Sequence, residues 1–464
     1  MPPVDMAAVN RRIAEVIAQI QVHDSPERYE RLGAEVIAAS ARFLSPYEIE
    51  LEGSRSPAGG GTTSSRPDSA GGGTTSSRPD SAARVISAPK IVVATGSSPR
   101  RVPIPGLDEA GYITNLDAFS LTELPRRLAV IGAGPIGVEL SQAFARLGSS
   151  VTLLEAAPEI LPLEDGDMAA VVRERLEREG VAVRTSATVA RVETVDGTKR
   201  VVIAVVQDEG AQAGGGSAVL STHAGIRHAE EVIEADEILL AVGRTGNTMD
   251  LGLSQAGVAV ENTFIVTDSR LRTSQKHILA VGDVNGRYLF THVAGAEGST
   301  AVRRIALHAG GAMDYRRVPW CTYSDPELAS IGYNEKRAAD EGIAFSVITE
   351  PFSGNDRART DNEIEGRIKI LVDRSGVVIG TQIVGSHAGD LLAPALFSVG
   401  SRWKAGSLMR PMYPYPTFAE IHRRAVSSHM AGRLFNDRVR RVLRFLFRYR
   451  GSAGIDPRGD EHGE

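Results

Sequence analysis

Apolar positions return every three or four residues at Met6, Val9, Ile13, Val16, Ile17 and Ile20, which predicts an amphipathic helix near the start of the chain. Residues 34–51 then carry two short β-like runs around Ser45 and Pro46. KIVVATGSSP, residues 90–99, reads as a buried strand ending in a glycine turn, and residues 128–131 form a second apolar run closed by glycine. Ile136, Leu140, Ala143, Phe144 and Leu147 follow at helical spacing until Gly148, and residues 150–154 make another strand. The strand-and-turn pattern recurs in EADEILLAVGR (234–244) and TSQKHILAVGDVNG (273–286), and residues 295–308 read as helix. From Val318 onward strands and helices continue without phosphate-type turns. This alternation predicts a mixed α/β protein with Rossmann-like units.

Three stretches break the pattern. GGGTTSSRPDSA occurs twice in perfect tandem between residues 59 and 82, small and polar throughout, and predicts a flexible loop that arose by duplication at the DNA level. Residues 208–228 are polar and glycine-rich, as in an enlarged hairpin loop. The tail at 433–450 sets seven arginines around Val439, Val442, Leu443, Leu446 and Phe447, an amphipathic helix with a basic face. Packing of its apolar stripe on a dimer is the favoured reading, and membrane-surface binding the other.

Chemistry enters at VIGAGPIGVELSQAFARLGSSVTLLE. Gly132 allows a tight turn, Gly134 lets backbone approach a pyrophosphate, and Gly137 lets the helix pack closely, so that free N–H groups at the helix start face the phosphates. Glu155 ends the next strand, where a carboxylate accepts from the ribose hydroxyls of NAD and repels the 2′-phosphate of NADP. With its strands, helix and acidic residue in place, this GxGxxG predicts NAD rather than a mere glycine-rich turn.

The 464 residues leave room for about three domains, and 42% hydrophobic content is enough to build cores. A net charge of −5 argues against nucleic acid as the main partner. With no charged-then-apolar leader and no apolar run of spanning length, a soluble cytoplasmic protein is expected. Cys321 is the one cysteine, so neither an intrachain disulfide nor a cysteine-based metal site can form, and no metal is expected.

The ordered set GAGPIG…E, AVGR, TSQKHILAVGD, YSDPELASIG and YPTFAE resembles the pyridine nucleotide-disulfide oxidoreductases, in particular the dihydrolipoamide dehydrogenase and mercuric reductase branch. The resemblance implies an FAD domain (1–52, 84–120 and 245–315) interrupted by the repeat linker (53–83) and by an inserted NAD domain (121–244). A C-terminal α+β dimerisation domain (316–433) and the basic tail (434–464) follow, and the partner it implies is a second copy, in a homodimer. ATGSSP resembles the turn packed against FAD, Gly243 and Gly282 belong to the cofactor turns, and Asp283 matches the carboxylate that binds the ribityl hydroxyls. The alternative for Asp283 is a helix N-cap.

Family members also begin with a GxGxxG turn for the ADP half of FAD, followed by a CxxxxC disulfide and a lysine. None has a counterpart here, so FAD is expected to be held weakly or not at all, and the start of the sequence to reflect a misplaced start codon, a split protein or a degenerate gene. Glu139, the family's partner for that lysine, becomes a solvated or capping carboxylate. The catalytic histidine position is Tyr415, with Glu420 kept; tyrosine, with a pKa of about 10 against about 6.5 for histidine, is a poor base at neutral pH. His422 and His429 read as surface or interface residues rather than a relocated base, and Cys321 as a small buried residue. Two functions follow: an FAD-dependent, NADH-linked oxidoreductase unable to do dithiol chemistry, or a non-enzymatic NAD-binding dimeric remnant. Neither names an electron acceptor.

Overall fold

The computed structural model describes residues 4–53, 84–206, 220–223, 226–434 and 437–447. The tandem repeat and most of the second glycine-rich stretch lie outside these. The chain divides into two compact units, Met1–Pro162 with Arg173–Val318, and Leu163–Val172 with Pro319–Glu464.

The first unit is built around a parallel sheet in the order Glu237–Leu240, Arg127–Ile131, Ser150–Leu154, Ala182–Arg184. Parallel strands are covered on both faces and are therefore apolar throughout; Leu128, Ala129 and Val130 are almost completely buried. The helix Pro135–Leu147 covers this sheet, but the buried face is Gly137, Val138, Ser141, Gln142 and Phe144, whereas Ala143 is exposed and Ile136, Leu140 and Leu147 are half-buried. The rotation follows from Gly137, which lies against the turn backbone and brings its own side of the helix to the sheet. A four-stranded antiparallel sheet in the order Leu220–His223, Ile226–Ala235, Thr198–Val206, Ala187–Val195 completes this region.

Elsewhere in the first unit Ile91–Val93 pairs in parallel with Ile278–Ala280, and Ser97–Pro99 pairs antiparallel with Arg244–Gly246. Their core joins Phe43, Ile91, Val93, Ala256, Ile265, Ile278, Ala280 and Val284. The two β-like runs at 34–51 form Ser40–Phe43 and Glu48–Glu52, which join Arg84–Ser87 in an antiparallel sheet. The first helix, Met6–Gln21, forms with Asp5 as its N-cap, yet buries Met6 alone and leaves Ile17 and Ile20 exposed.

The second unit has a five-stranded antiparallel sheet, ordered Pro319–Thr322, Glu327–Gly332, Val378–Gly385, Arg367–Asp373, Phe345–Pro351. Ile368, Ile370, Ile383, Phe352, Ile421 and Ala425 form the centre of its core. Leu163–Val172, which the sequence places in the NAD domain, packs into this unit. The reason is polar. Glu164, almost fully buried, accepts from Trp320 Nε1 (2.5 Å), Ser330 Oγ (2.6 Å) and Gln382 Nε2 (2.6 Å). Beside it the Lys369 ammonium, with its side chain 3% exposed, contacts Asp165 (3.1 Å), Asp167 (2.5 Å) and Glu335 (2.7 Å). These three carboxylates are close enough together to hold a metal ion, but the ammonium stands among them. No helix among the described residues is long and apolar enough to cross a membrane.

Breaking a buried ion pair leaves the remaining charge without compensation. Lys369→Met should therefore lower the unfolding free energy by about 3 kcal/mol, the low end for such a change because Asp167 and Glu335 stay in contact with water. Urea denaturation measures it; a change within experimental error would mean that the cluster contributes no net stability.

Candidate functional site

The nucleotide turn is made by backbone contacts that admit no side chain. Gly132 has φ +101°, and a Cβ there would lie 2.6 Å from the Ala241 carbonyl oxygen. A Cβ on Gly137 would lie 1.8 Å from the Gly132 carbonyl oxygen, an impossible approach. Gly134 is the helix N-cap and offers no side chain to the first-turn amides, while Pro135 occupies the first turn. Open space surrounds its Cβ position. These uncapped N–H groups at the positive end of the helix fit a pyrophosphate.

Glu155 lies half-buried at this turn. Its Oε2 accepts from the Ala133 amide at 2.8 Å and its Oε1 from the Ala157 amide at 2.9 Å. A carboxylate has about four acceptor positions, so both oxygens retain capacity for ribose hydroxyls. The residue that would read the ribose thus also braces the turn.

A second constellation joins three strings that the sequence shows only separately. Arg244 Nε donates to Ser97 Oγ at 2.6 Å, and that hydroxyl donates to Asp283 Oδ2 at 2.6 Å. Arg244 Nη2 also donates to the Ser97 carbonyl at 2.8 Å and its Nε lies 3.6 Å from Asp283. Ser97 comes from ATGSSP, Arg244 from AVGR beside Gly243, and Asp283 from AVGD. Gly243 and Gly282 both have positive φ, +104° and +72°, and turn the chain at the ends of their strings. Asp283 lies inside the short helical turn Gly282–Asn285, whose N-cap is Val281, so it is not the N-cap of that turn.

Behind Asp283 the fully buried Glu297 accepts from the Gly282 amide (2.6 Å), Asn285 Nδ2 (2.7 Å) and the Tyr315 hydroxyl (2.6 Å). Burial and then this carboxylate push the Tyr315 phenol far above its ordinary pKa, so Tyr315 remains a donor. Ser97, Arg244, Glu297 and Tyr315 escaped the sequence reading. One signal was available for Glu297, a lone carboxylate among the small residues of VAGAEGSTA. Asp283, with its acceptor oxygens held in place, fits polyol hydroxyls of the kind FAD carries.

In the second unit the Tyr415 hydroxyl donates to Asp356 Oδ2 at 3.0 Å, and this bond, with the neighbouring negative charge, raises its pKa further from neutrality. Glu420 is buried at the start of Glu420–Leu434 and accepts from Arg423 at 3.3 Å. The two predicted catalytic residues therefore bond to different partners. His422 is completely buried, contrary to the surface or interface reading: Ile421 and Ala425 carry this side of the helix into the core. Its Nε2 donates to the Leu391 carbonyl at 2.7 Å, and Nδ1 has no hydrogen-bond partner among the described residues. His429 is half-buried. Cys321 is half-buried rather than buried, since Pro319–Thr322 is the edge strand of its sheet; its thiol lies 3.9 Å from Glu327 Oε2. Glu139 is half-buried in the second turn of the nucleotide helix, whose N-cap is Gly134.

Comparison with known proteins settles the kinship. Residues 68–298 match the family described as pyridine nucleotide-disulphide oxidoreductase, and residues 318–426 match its dimerisation domain. The chain belongs to this family. Among the oxidoreductases it resembles, dihydrolipoyl dehydrogenase of Geobacillus stearothermophilus is 35% identical over 334 residues, 71% of this chain and 66% of that enzyme. Mercuric reductase of Bacillus cereus is 28% identical over 419 residues, 90% of this chain and 58% of that one. The chain thus spans about two thirds or less of the length of these relatives. The HOCl-induced flavoprotein disulfide reductase RclA from Escherichia coli shares the fold, with TM-score 0.74 and 24% identity over 91% of this chain and 86% of that one. Two nucleotide-binding regions followed by a dimerisation domain are the architecture of the family.

Two outcomes follow from this geometry. Glu155→Ala should weaken NADH binding about 5–30-fold, equivalent to about 1–2 kcal/mol for a lost charge-assisted hydrogen bond, and should narrow the preference for NADH over NADPH. Calorimetric titration with both nucleotides tests this; tighter binding of NADPH by the unmodified protein would show that Glu155 does not read the ribose. The second concerns pH. Burial pushes the His422 pKa from 6.5 to about 4, so the fold favours the neutral ring. Its contribution is fully present above pH 6.5 and is lost as pH falls toward 4, by about 3 kcal/mol. His422→Gln should show a correspondingly shallower loss of stability across that window.

Proposed function

We propose that the protein is an FAD-dependent oxidoreductase that takes reducing equivalents from NADH and delivers them to an acceptor other than a disulfide. The observation that carries this reading is the pairing of two prepared cofactor sites with a single thiol. Gly132, Gly134, Gly137 and Glu155 would hold and select NADH. Asp283, supported by Ser97, Arg244 and Glu297, would accept from the ribityl hydroxyls of FAD. Bound there, FAD would supply the hydride-accepting and electron-passing chemistry. The protein's part is to orient both nucleotides and to keep Asp283 fixed as an acceptor.

Disulfide reduction needs one thiol to attack and a second to resolve the mixed disulfide, with a base to manage the proton. The 464 residues contain Cys321 alone. Tyr415, at the family's base position, has its pKa raised by Asp356, which moves it away from useful proton transfer at neutral pH. The acceptors consistent with this chemistry are oxygen, a quinone or a dye, reduced as NADH is oxidised to NAD. The dimerisation domain supports a homodimer, and the exposed Tyr323, Phe397 and Met412 give the second unit apolar surface to bury in one.

The test is turnover of the 464-residue chain with added FAD, using NADH against glutathione disulfide, Hg²⁺ and a quinone, and NAD against dihydrolipoamide. NADH oxidation with the quinone alone is expected, unchanged in Cys321→Ser. Sustained turnover of dihydrolipoamide or glutathione disulfide that disappears in Cys321→Ser would overturn the reading, as would complete absence of NADH oxidation.

A further inference from the structure

The helix Asp437–Leu446 has two unlike faces. Val439, Val442, Leu443 and Leu446 recur at i, i+3, i+4 and i+7, and Asp437, Arg440, Arg441 and Arg444 recur at the same spacing on the opposite side. Arg438 adds a fourth cation. None of the helix is buried; Leu446 is 64% exposed, and Phe447 just beyond it 77%. Among the described residues no carboxylate lies within ion-pair reach of Arg438, Arg440, Arg441 or Arg444.

We propose that this helix docks the protein on an anionic phospholipid bilayer surface, lying in the plane of the interface with its apolar stripe toward the acyl chains and its arginines among the lipid phosphates. Charge complementarity carries the choice of partner. Four arginines against one aspartate are concentrated on this one element of a chain whose net charge is −5. Arginine forks match phosphate oxygens, and an unpaired basic face beside an apolar stripe is the pattern of interfacial helices. A second copy of the helix is a poorer occupant. Ten residues make fewer than two heptads, where a self-sufficient coiled coil needs about three or four, and pairing would bring like charges together. The helix is also far too short to span a bilayer, at about 15 Å against a hydrocarbon core of about 30 Å. This inference does not depend on the redox activity.

The experiment is co-sedimentation of the full chain with phosphatidylcholine vesicles, with and without about 30 mol % phosphatidylglycerol, at low and high salt. Binding to the anionic vesicles is expected to exceed binding to the neutral ones by about tenfold or more and to weaken with salt. Arg440→Glu with Arg441→Glu should abolish the lipid selectivity, and Leu443→Asp with Leu446→Asp should abolish binding to both. These positions are exposed, so the urea midpoint of each variant should match the parent and exclude unfolding as the cause. Equal binding to both vesicle types, or anionic binding untouched by both double variants, would overturn the proposal. So would a Leu443→Asp/Leu446→Asp variant that dissociates a dimer in sedimentation velocity while still binding vesicles, since the stripe would then belong to a second copy.

Discussion

The close approach of Gly137 to the Gly132 carbonyl is the contact on which the nucleotide region rests. With no side chain between them, the helix sits directly on the end of its strand, and the free amides of its first turn gather at one point in space. The same approach decides which residues of the helix are buried. It also brings Ala133 within reach of Glu155, so that this carboxylate is tied to the glycine turn by a hydrogen bond. At the other site the equivalent constraint is a buried carboxyl group: Glu297 gathers three donors, and the turn bearing Asp283 has its position set from behind.

Much of this could be read along the chain because it is local. Strand, glycine turn, helix and strand between residues 127 and 155 follow from apolar runs and glycine spacing within thirty residues, as do the turns at Gly243 and Gly282. What the pattern could not carry was partnership across long separations. Ser97, Arg244 and Asp283 come from three strings, and nothing in the periodicity of any one string names the others. The buried face of Pro135–Leu147 was not legible for a related reason: apolar spacing gives a helix its period but not its rotation, and here a glycine with no hydrophobicity set the rotation. His422 misled in the opposite sense. A polar residue beside two arginines reads as surface, but Ile421 and Ala425 turn the helix so that the ring enters the core.

The proposed function separates the binding of cofactors from the chemistry of thiols. The polar groups proposed to face a flavin or a nicotinamide nucleotide, Asp283 and Glu155, are held by hydrogen bonds from Ser97, Ala133 and Ala157. Within the given residues the one cysteine lies at a sheet edge, and the Tyr415 hydroxyl is bonded to Asp356. Orientation of nucleotides and thiol exchange are separable functions in physical terms, because the first is done by backbone and carboxylates and the second by nucleophiles and a base near neutral pKa.

The segment Leu163–Val172 bears on how the chain acquires its structure. Glu164 meets Ser330 and Gln382 across 166 and 218 residues of sequence. During synthesis from the N-terminus, the first nucleotide-binding strands and their helix can form while this carboxylate still has none of its donors. Contacts of such sequence separation slow folding, because the loop between them must be closed before they yield any stabilisation. The second unit is therefore discontinuous in sequence, and a fragment beginning at Pro319 would lack the acid that Trp320, Ser330 and Gln382 surround. Its core would be assembled late, around a short piece of chain made long before.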